Sequence, residues 1–132
     1  MVQVAPAKTR TATCSCGGLS VICTGEPAKV SLCHCLECQK RTGSTYGIGA
    51  FFPAAAVTAR GATQTYTRPS DSGQAVSFRF CPTCGSTVFW EAHRLPGMIA
   101  VAVGAFADPS FPAPEQAVYG EHQHGWVVVP GS

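Results

Sequence analysis

The chain has 132 residues, of which 45% are hydrophobic and 12% are charged, with a formal net charge of +2. This composition excludes a disordered chain, and the length fits one domain, residues 1–132, with a core of its own. The charged residues are scattered without a basic run, so we predict a small-molecule partner and no nucleic acid.

The N-terminal residues 1–13 lack the apolar core of a signal peptide, and no stretch is long enough to span a bilayer. We therefore expect a cytoplasmic protein without a membrane partner, as a monomer or weak homodimer. We expect residues 1–12 to form an N-terminal arm and residues 127–132 a C-terminal tail. Because the cytoplasm is reducing, the eight cysteines are expected to bind metal rather than to form disulfides.

Fourteen glycines and ten prolines interrupt the chain every few residues and leave little room for long helices. Only residues 36–42 and 53–57 are predicted to hold helical turns. The spacing predicts an all-β domain, an antiparallel sandwich or open barrel, rather than a βαβ arrangement. The segments with β character are 19–24, 29–32, 46–52, 63–67, 75–80, 87–91, 98–103 and 117–119.

Four segments carry more specific patterns. Residues 75–80 alternate apolar and polar side chains, which indicates a half-buried strand. Residues 98–103 are almost wholly apolar, as in a strand covered on both faces. Residues 108–114 read as a long turn, because strand-like sequence follows them. Residues 126–129 fit either a last edge strand or a tail packed on the core.

Seven of the eight cysteines fall into three clusters. In the last cluster Pro82 presets a turn, and Gly85 permits the positive φ that would aim backbone N–H groups at sulfur. Zinc takes a tetrahedron of thiolates, and cysteines one or two residues apart offer two corners from one turn. If each cluster acts as a unit, a four-sulfur site and a three-sulfur site result. The clusters are Cys14 and Cys16; Cys33, Cys35 and Cys38; and Cys81 and Cys84.

The two cysteine pairs predict a closed structural zinc site. It would tie the first strand to a distant hairpin and contribute folding energy without chemistry. Its ligands would be Cys14, Cys16, Cys81 and Cys84.

The triplet Cys33, Cys35 and Cys38 predicts a second zinc with an open fourth position, which is typical of a catalytic site. Three thiolates weaken zinc for making hydroxide, so a substrate thiol fits the open corner better than water. We therefore rank thiolate exchange before hydrolysis. In the alternative reading, His34, Cys23 or a distant histidine supplies a fourth ligand and closes the site.

The remaining candidate ligands are weaker. His34 should point away from its cysteine neighbours, as a surface group or a support of the ligands. Cys23 reads as a small buried thiol. His122 and His124 have the spacing of a metal pair but fit solvated loop histidines better, and nothing singles out His93.

Four motifs in this order resemble the glutathione-dependent formaldehyde-activating enzyme family, over residues 13–126. The stretch 101–109 and Trp126 agree with the family more loosely. The motifs are C-S-C-G-G-L at 14–19, T-G-E-P at 24–27, C-H-C-L-E-C-Q-K-R-T-G-S at 33–44 and F-C-P-T-C-G-S at 80–86.

The resemblance implies a β-tent fold of short antiparallel strands in a sandwich-like arrangement, stapled by two zinc ions with the partition given above. It also implies a carbon–sulfur lyase or synthase that joins glutathione, the co-substrate, and formaldehyde reversibly as S-(hydroxymethyl)glutathione. Lys40 and Arg41 are candidates for its carboxylates, although a solvated basic pair is the default reading. The end of the chain lacks the acidic continuation often seen in relatives.

Two other function classes are compatible with these cysteines. One is a non-catalytic module whose zinc ions only maintain its shape while it binds a protein or thiol ligand. The other is a repair reductase, ranked last because the spare Cys23 has no resolving partner. The sequence shows no helical recognition face and no charge patch, which favours the enzyme.

Overall fold

A computed structural model describes residues 8–70 and 72–130. In these residues short strands dominate, and the one α-helix, α1, has seven residues. The predicted all-β class is confirmed. The strands are β1 (Thr9–Thr13), β2 (Ser20–Thr24), β3 (Lys29–Cys33), β4 (Gly47–Pro53), β5 (Val57–Arg60), β6 (Gln64–Pro69), β7 (Ala75–Phe80), β8 (Thr87–Ala92), β9 (Met98–Ala102) and β10 (Gln116–Val118), and α1 spans Leu36–Thr42.

The strands form two sheets. The smaller has the order β1-β2-β5, and the larger has the order β10-β3-β4-β9-β8-β7-β6. All pairings are antiparallel except that of β10 with β3, which is parallel. The loop before β10 provides the return to the far edge of the larger sheet, as expected for a long turn at residues 108–114.

Each of the eight predicted strand segments overlaps an observed strand, and both predicted helical positions hold a helical turn. The sequence did not predict β1 and β5. Strand β1 occupies residues assigned above to an N-terminal arm, and it is stabilised by pairing with β2 along its whole length. Residues 1–7 of that arm and residues 131–132 of the tail lie outside the described residues.

The main hydrophobic core includes side chains from both sheets. Val21 of the smaller sheet and Phe52, Val88 and Val101 of the larger are completely buried in it. Burial of such side chains stabilises the fold by about 1.5–3 kcal/mol each. This core covers one face of the larger sheet, and the other face belongs to a separate cluster.

The second face of the larger sheet carries its own apolar row. Phe51 pairs with Ala100, Ala100 with Trp90 and Trp90 with Phe78 across four neighbouring strands. These four side chains are buried in a second cluster with Val76. Ala100 belongs to this cluster and the adjacent Val101 to the main core, so β9 is covered on both faces as predicted.

The alternation predicted for residues 75–80 is also confirmed. Val76 and Phe78 point to the second face, whereas Ser77 points away and hydrogen-bonds to Thr67 and His93. Successive side chains of a strand take opposite faces, so the polar position can reach a different environment from its apolar neighbours.

Residues 126–129 form no strand in the structure. Val129 is buried, while Trp126 remains 74% exposed and contacts the ring of His124 edge-on. The reading as an edge strand is therefore wrong, and of this segment only Val129 is buried, while Val128 is 91% exposed.

Candidate metal centres and the adjoining pocket

The first sulfur group joins two distant turns. Cys14 and Cys16 lie between β1 and β2, and Cys81 and Cys84 lie between β7 and β8. All four sulfurs lie within 4.8 Å of one another, and the Cys16 Sγ lies 3.6 Å from both the Cys14 Sγ and the Cys81 Sγ. A tetrahedron with zinc–sulfur bonds of about 2.3 Å has sulfur–sulfur edges of about 3.8 Å. These residues therefore fit a zinc ion.

Backbone donors around this group suit thiolate ligands. The Leu19 N–H donates to the Cys14 Sγ at 3.2 Å, and the Thr83 N–H donates to the Cys81 Sγ at 3.4 Å. Gly85 has φ +80°, as predicted for the turn, and its N–H donates to the Cys81 carbonyl oxygen at 2.9 Å. The N–H groups of Leu19 and Thr83 stabilise negative charge on the sulfur atoms to which they donate.

A pair of serines links the same two turns. The Ser15 and Ser86 hydroxyl oxygens are 3.1 Å apart, and the Ser15 N–H donates to the Ser86 Oγ at 3.3 Å. Hydrogen bonding with Ser86 lowers the pKa of Cys84 to about 5. The thiolate form that zinc requires is thus favoured at this corner even before metal binds.

The second sulfur group is built at the junction of β3 and α1. Cys33 ends β3, Cys35 caps the N-terminus of α1, and Cys38 lies in its first turn. Their sulfurs lie within 4.8 Å of one another, and the Cys38 N–H donates to the Cys35 Sγ at 3.3 Å. Among the residues that the structure describes, no further cysteine, histidine, aspartate or glutamate joins them. The group therefore fits a zinc ion with one position left for another molecule.

His34, between two of these cysteines, is not the surface group that the sequence suggested. Its side chain is completely buried, and its ring meets that of Tyr46 edge-on. Neither ring nitrogen has a hydrogen-bond partner in the described part of the chain. The surface alternative was therefore wrong, whereas His34 stays outside the sulfur group as expected. Its backbone N–H donates to the carbonyl oxygen of Val118 in β10.

The other weak candidates stay apart from both sulfur groups. Cys23 is buried in the main core as predicted, and burial raises its pKa to about 11. His122 and His124 form no metal group in the described residues. Instead, the Gln39 side chain of α1 donates to the His122 carbonyl oxygen at 3.1 Å and hydrogen-bonds to the His124 ring at 3.0 Å.

The three-sulfur group lies in the wall of a pocket, which we call the triplet pocket. It has a volume of about 110 Å³ and occupies the second face of the larger sheet. Phe51, Phe78 and Trp90 contribute its aromatic surface. None of the described residues that line it is acidic, and its cationic side chains are Arg41, Arg68 and Arg94.

Arg41 is fixed beside the sulfurs rather than solvated. Its guanidinium carbon lies 4.5 Å from the ring centroid of Trp90 and 5.2 Å from that of Phe78. Hydrogen bonding from Cys33 lowers the pKa of Cys38 to about 5, against the opposing effect of burial, with smaller contributions from Cys35 and from the charge and hydrogen bond of Arg41. By contrast, the Lys40 side chain is 75% exposed and pairs with Glu37, as the default reading expected.

Two glycines of β4 make room for this arrangement. A Cβ at Gly47 would lie 2.7 Å from Nη2 of Arg41, and a Cβ at Gly49 would lie 2.8 Å from the Trp90 ring. Both positions face the triplet pocket. The G-x-G pattern inside a strand was therefore a sequence signal for a close approach, and it was missed.

Arg68 and Arg94 were also missed. Arg68 lies on β6, and Arg94 follows β8. Nothing in the local sequence distinguishes them from other surface arginines, because only the strand pairing brings them to the same pocket as the cysteines.

In the described residues no helix is long and apolar enough to cross a membrane.

Comparisons with known proteins bear on the whole arrangement. The model of a family described as glutathione-dependent formaldehyde-activating enzyme matches residues 9–122. A crystal structure of a Rhodobacter sphaeroides protein is similar with a TM-score of 0.55 and 23% sequence identity, covering 72% of this chain and 85% of that one. That likeness concerns the fold alone. A search of curated proteins finds no significant match.

Proposed function

The chain belongs to the glutathione-dependent formaldehyde-activating enzyme family, and on this premise we propose that it is a zinc-dependent carbon–sulfur lyase or synthase. The proposed reaction condenses glutathione with formaldehyde to S-(hydroxymethyl)glutathione, or cleaves a related thiol adduct. Two zinc ions would be bound, one for structure and one for the reaction.

One observation carries the proposal. The three-sulfur group opens onto a pocket, whereas the other group already has the four sulfurs that complete a tetrahedron. An incomplete ligand set beside a cavity is the arrangement that a reacting molecule requires. A purely structural pair of sites would need neither the open position nor the cavity.

Cys33, Cys35 and Cys38 would hold the catalytic zinc, which when bound would favour the thiolate form of a thiol at its open position. In the synthetic direction the glutathione sulfur forms a bond to the formaldehyde carbon while the carbonyl π electrons move to oxygen. The proton lost by the thiol is returned to that oxygen as the alcohol forms. The reverse sequence releases both reactants.

Arg41 is placed to assist at the reacting end of the pocket. Its positively charged guanidinium is held in place by its contacts with Trp90 and Phe78. Its Nε is buried and has no hydrogen-bond partner among residues 8–70 and 72–130. We propose that Arg41 offsets the negative charge of the thiolates and donates a hydrogen bond to the alkoxide that develops on formaldehyde.

The proposal is tested by zinc analysis together with exchange NMR of glutathione and formaldehyde. We expect two zinc ions per chain, one of which is released more readily by a chelator and is perturbed by glutathione. We also expect interconversion of glutathione and its adduct to accelerate in proportion to enzyme. A single tight zinc, indifferent to glutathione, without acceleration would contradict the proposal and favour the non-catalytic binding module.

Replacing Arg41 with glutamine is expected to lower kcat by about 100-fold while both zinc ions remain bound. The loss should fall on kcat, because the proposed hydrogen bond forms only as the alkoxide develops. Steady-state kinetics and zinc content measure the two effects. Arg41→Lys should recover part of the rate, and Lys40→Gln, one residue away but solvated, should change it by less than about 2-fold. Equal effects at both positions would contradict the role of Arg41.

A further inference from the structure

The three arginines of the triplet pocket come from different elements. Arg41 lies in the last turn of α1, the helix that carries Cys38, whereas Arg68 lies on β6 and Arg94 follows β8. Arg68 is opposite Val76 in the strand pairing, and Val76 is opposite Ala92, two residues before Arg94. The ends of β6 and β8 therefore bring two cations to the pocket that the three cysteines also line.

The distance between the guanidinium groups of Arg41 and Arg68 has an upper limit, because both groups lie near the ring of Phe78. The guanidinium carbon of Arg41 lies 5.2 Å from the Phe78 ring centroid, and that of Arg68 lies 5.0 Å from the same point. The two guanidinium groups are thus no more than about 10 Å apart. A tripeptide in extended conformation spans about 10 Å, at roughly 3.3–3.6 Å per residue. A peptide-sized molecule in the triplet pocket can therefore contact both Arg41 and Arg68.

Neither Arg68 nor Arg94 pairs with a carboxylate of the described residues, whereas Arg10 and Arg79 do. Arg68 donates one hydrogen bond, to the Pro69 carbonyl oxygen at 3.1 Å, and Arg94 is exposed. Each guanidinium has five N–H donors in a planar fork that matches a carboxylate. Most of these donors have no partner among the residues that the structure describes.

We propose that Arg68 and Arg94 bind the carboxylates of the substrate and so restrict it to anionic, peptide-sized thiols. The inference rests on the proposed function, because it takes the molecule that enters the triplet pocket to be a thiol. A zinc ion with three thiolates carries one net negative charge, which disfavours an anionic ligand. The positive charges of Arg68 and Arg94 offset this repulsion. They also orient the molecule with its sulfur toward Cys33, Cys35 and Cys38.

The test uses S-methylglutathione, which has both carboxylates but no reactive thiol, and its dimethyl ester, in which neither carboxylate charge is present. Binding of each to the zinc-loaded protein is measured by calorimetry. We expect the wild type to bind the acid at least about 10-fold more tightly than the ester. Arg94→Gln and Arg68→Gln should each weaken binding of the acid by about 5- to 20-fold and leave that of the ester unchanged.

Arg60→Gln is the matched control, because Arg60 is exposed on β5 of the smaller sheet. It should bind both ligands as the wild type does. Arg94 is exposed, so its replacement should leave the fold intact, and the result does not depend on the Arg68 variant, whose loss of contact with Phe78 could disturb packing. Equal binding of acid and ester, or equal weakening of both in Arg94→Gln, would overturn the inference.

The outcome is separable from that of the proposed function. Turnover of glutathione and formaldehyde with equal kcat/KM for glutathione and its dimethyl ester would overturn the carboxylate site and leave the enzyme assignment intact. Absence of turnover together with a preference for the acid that is lost in Arg94→Gln would uphold the carboxylate site and remove the enzyme assignment.

Discussion

Replacing Cys81 with serine is expected to abolish the stable fold. Its sulfur lies 3.6 Å from that of Cys16, although 65 residues separate the two along the chain. A zinc ion bound there closes this long connection and contributes apparent binding energy of about 10–16 kcal/mol to folding. That is comparable to the whole stability of a small domain, about 5–15 kcal/mol. Soluble yield, zinc content and the thermal transition measure the effect.

Cys23→Ala provides the comparison for Cys81→Ser. Cys23 is as buried as Cys81 but belongs to neither sulfur group. Its replacement should retain two zinc ions per chain and cost about 1 kcal/mol, the amount associated with a small core truncation. A Cys81→Ser protein that melts like the wild type with its zinc complement intact would show that the four-sulfur group does not staple the fold.

Replacing Cys35 with serine is expected to leave a folded protein with about half the zinc and activity reduced by about 100-fold or more. Cys35 is the N-cap of α1, and its sulfur accepts the Cys38 N–H at 3.3 Å. Serine is among the preferred N-cap residues, so the helix start should survive the exchange. The loss of thiolate then falls on metal binding rather than on local structure.

Zinc stoichiometry, the thermal transition and the rate of glutathione–formaldehyde exchange should be measured on the same Cys35→Ser sample. The transition should stay close to that of the wild type, in contrast to Cys81→Ser. If both variants lose the fold equally, the division between a structural and a reactive group is wrong. If Cys35→Ser keeps its full activity, the reaction takes place elsewhere.

Much of the strand pattern could be predicted because it depends on local signals. The alternation at residues 75–80 and the continuous apolar run at 98–103 each express how many faces of a strand are buried. The helix at Leu36–Thr42 ends at Gly43, which takes φ +64°. Strands β1 and β5 were missed because their mostly exposed sequences, TRTAT and VTAR, become strands only through pairing with β2.

The sequence by itself determined the grouping of the cysteines, since spacing and turn residues within each cluster dictate which sulfurs share a turn. It could not reveal that Arg41, Arg68 and Arg94 line one pocket, or that His34 is buried. These facts depend on which strands are neighbours and in what register. Register is decided by burial across the whole sheet, and a shift of one residue would turn every side chain of a strand to the other face. Only the tertiary structure therefore places the cations beside the cysteines.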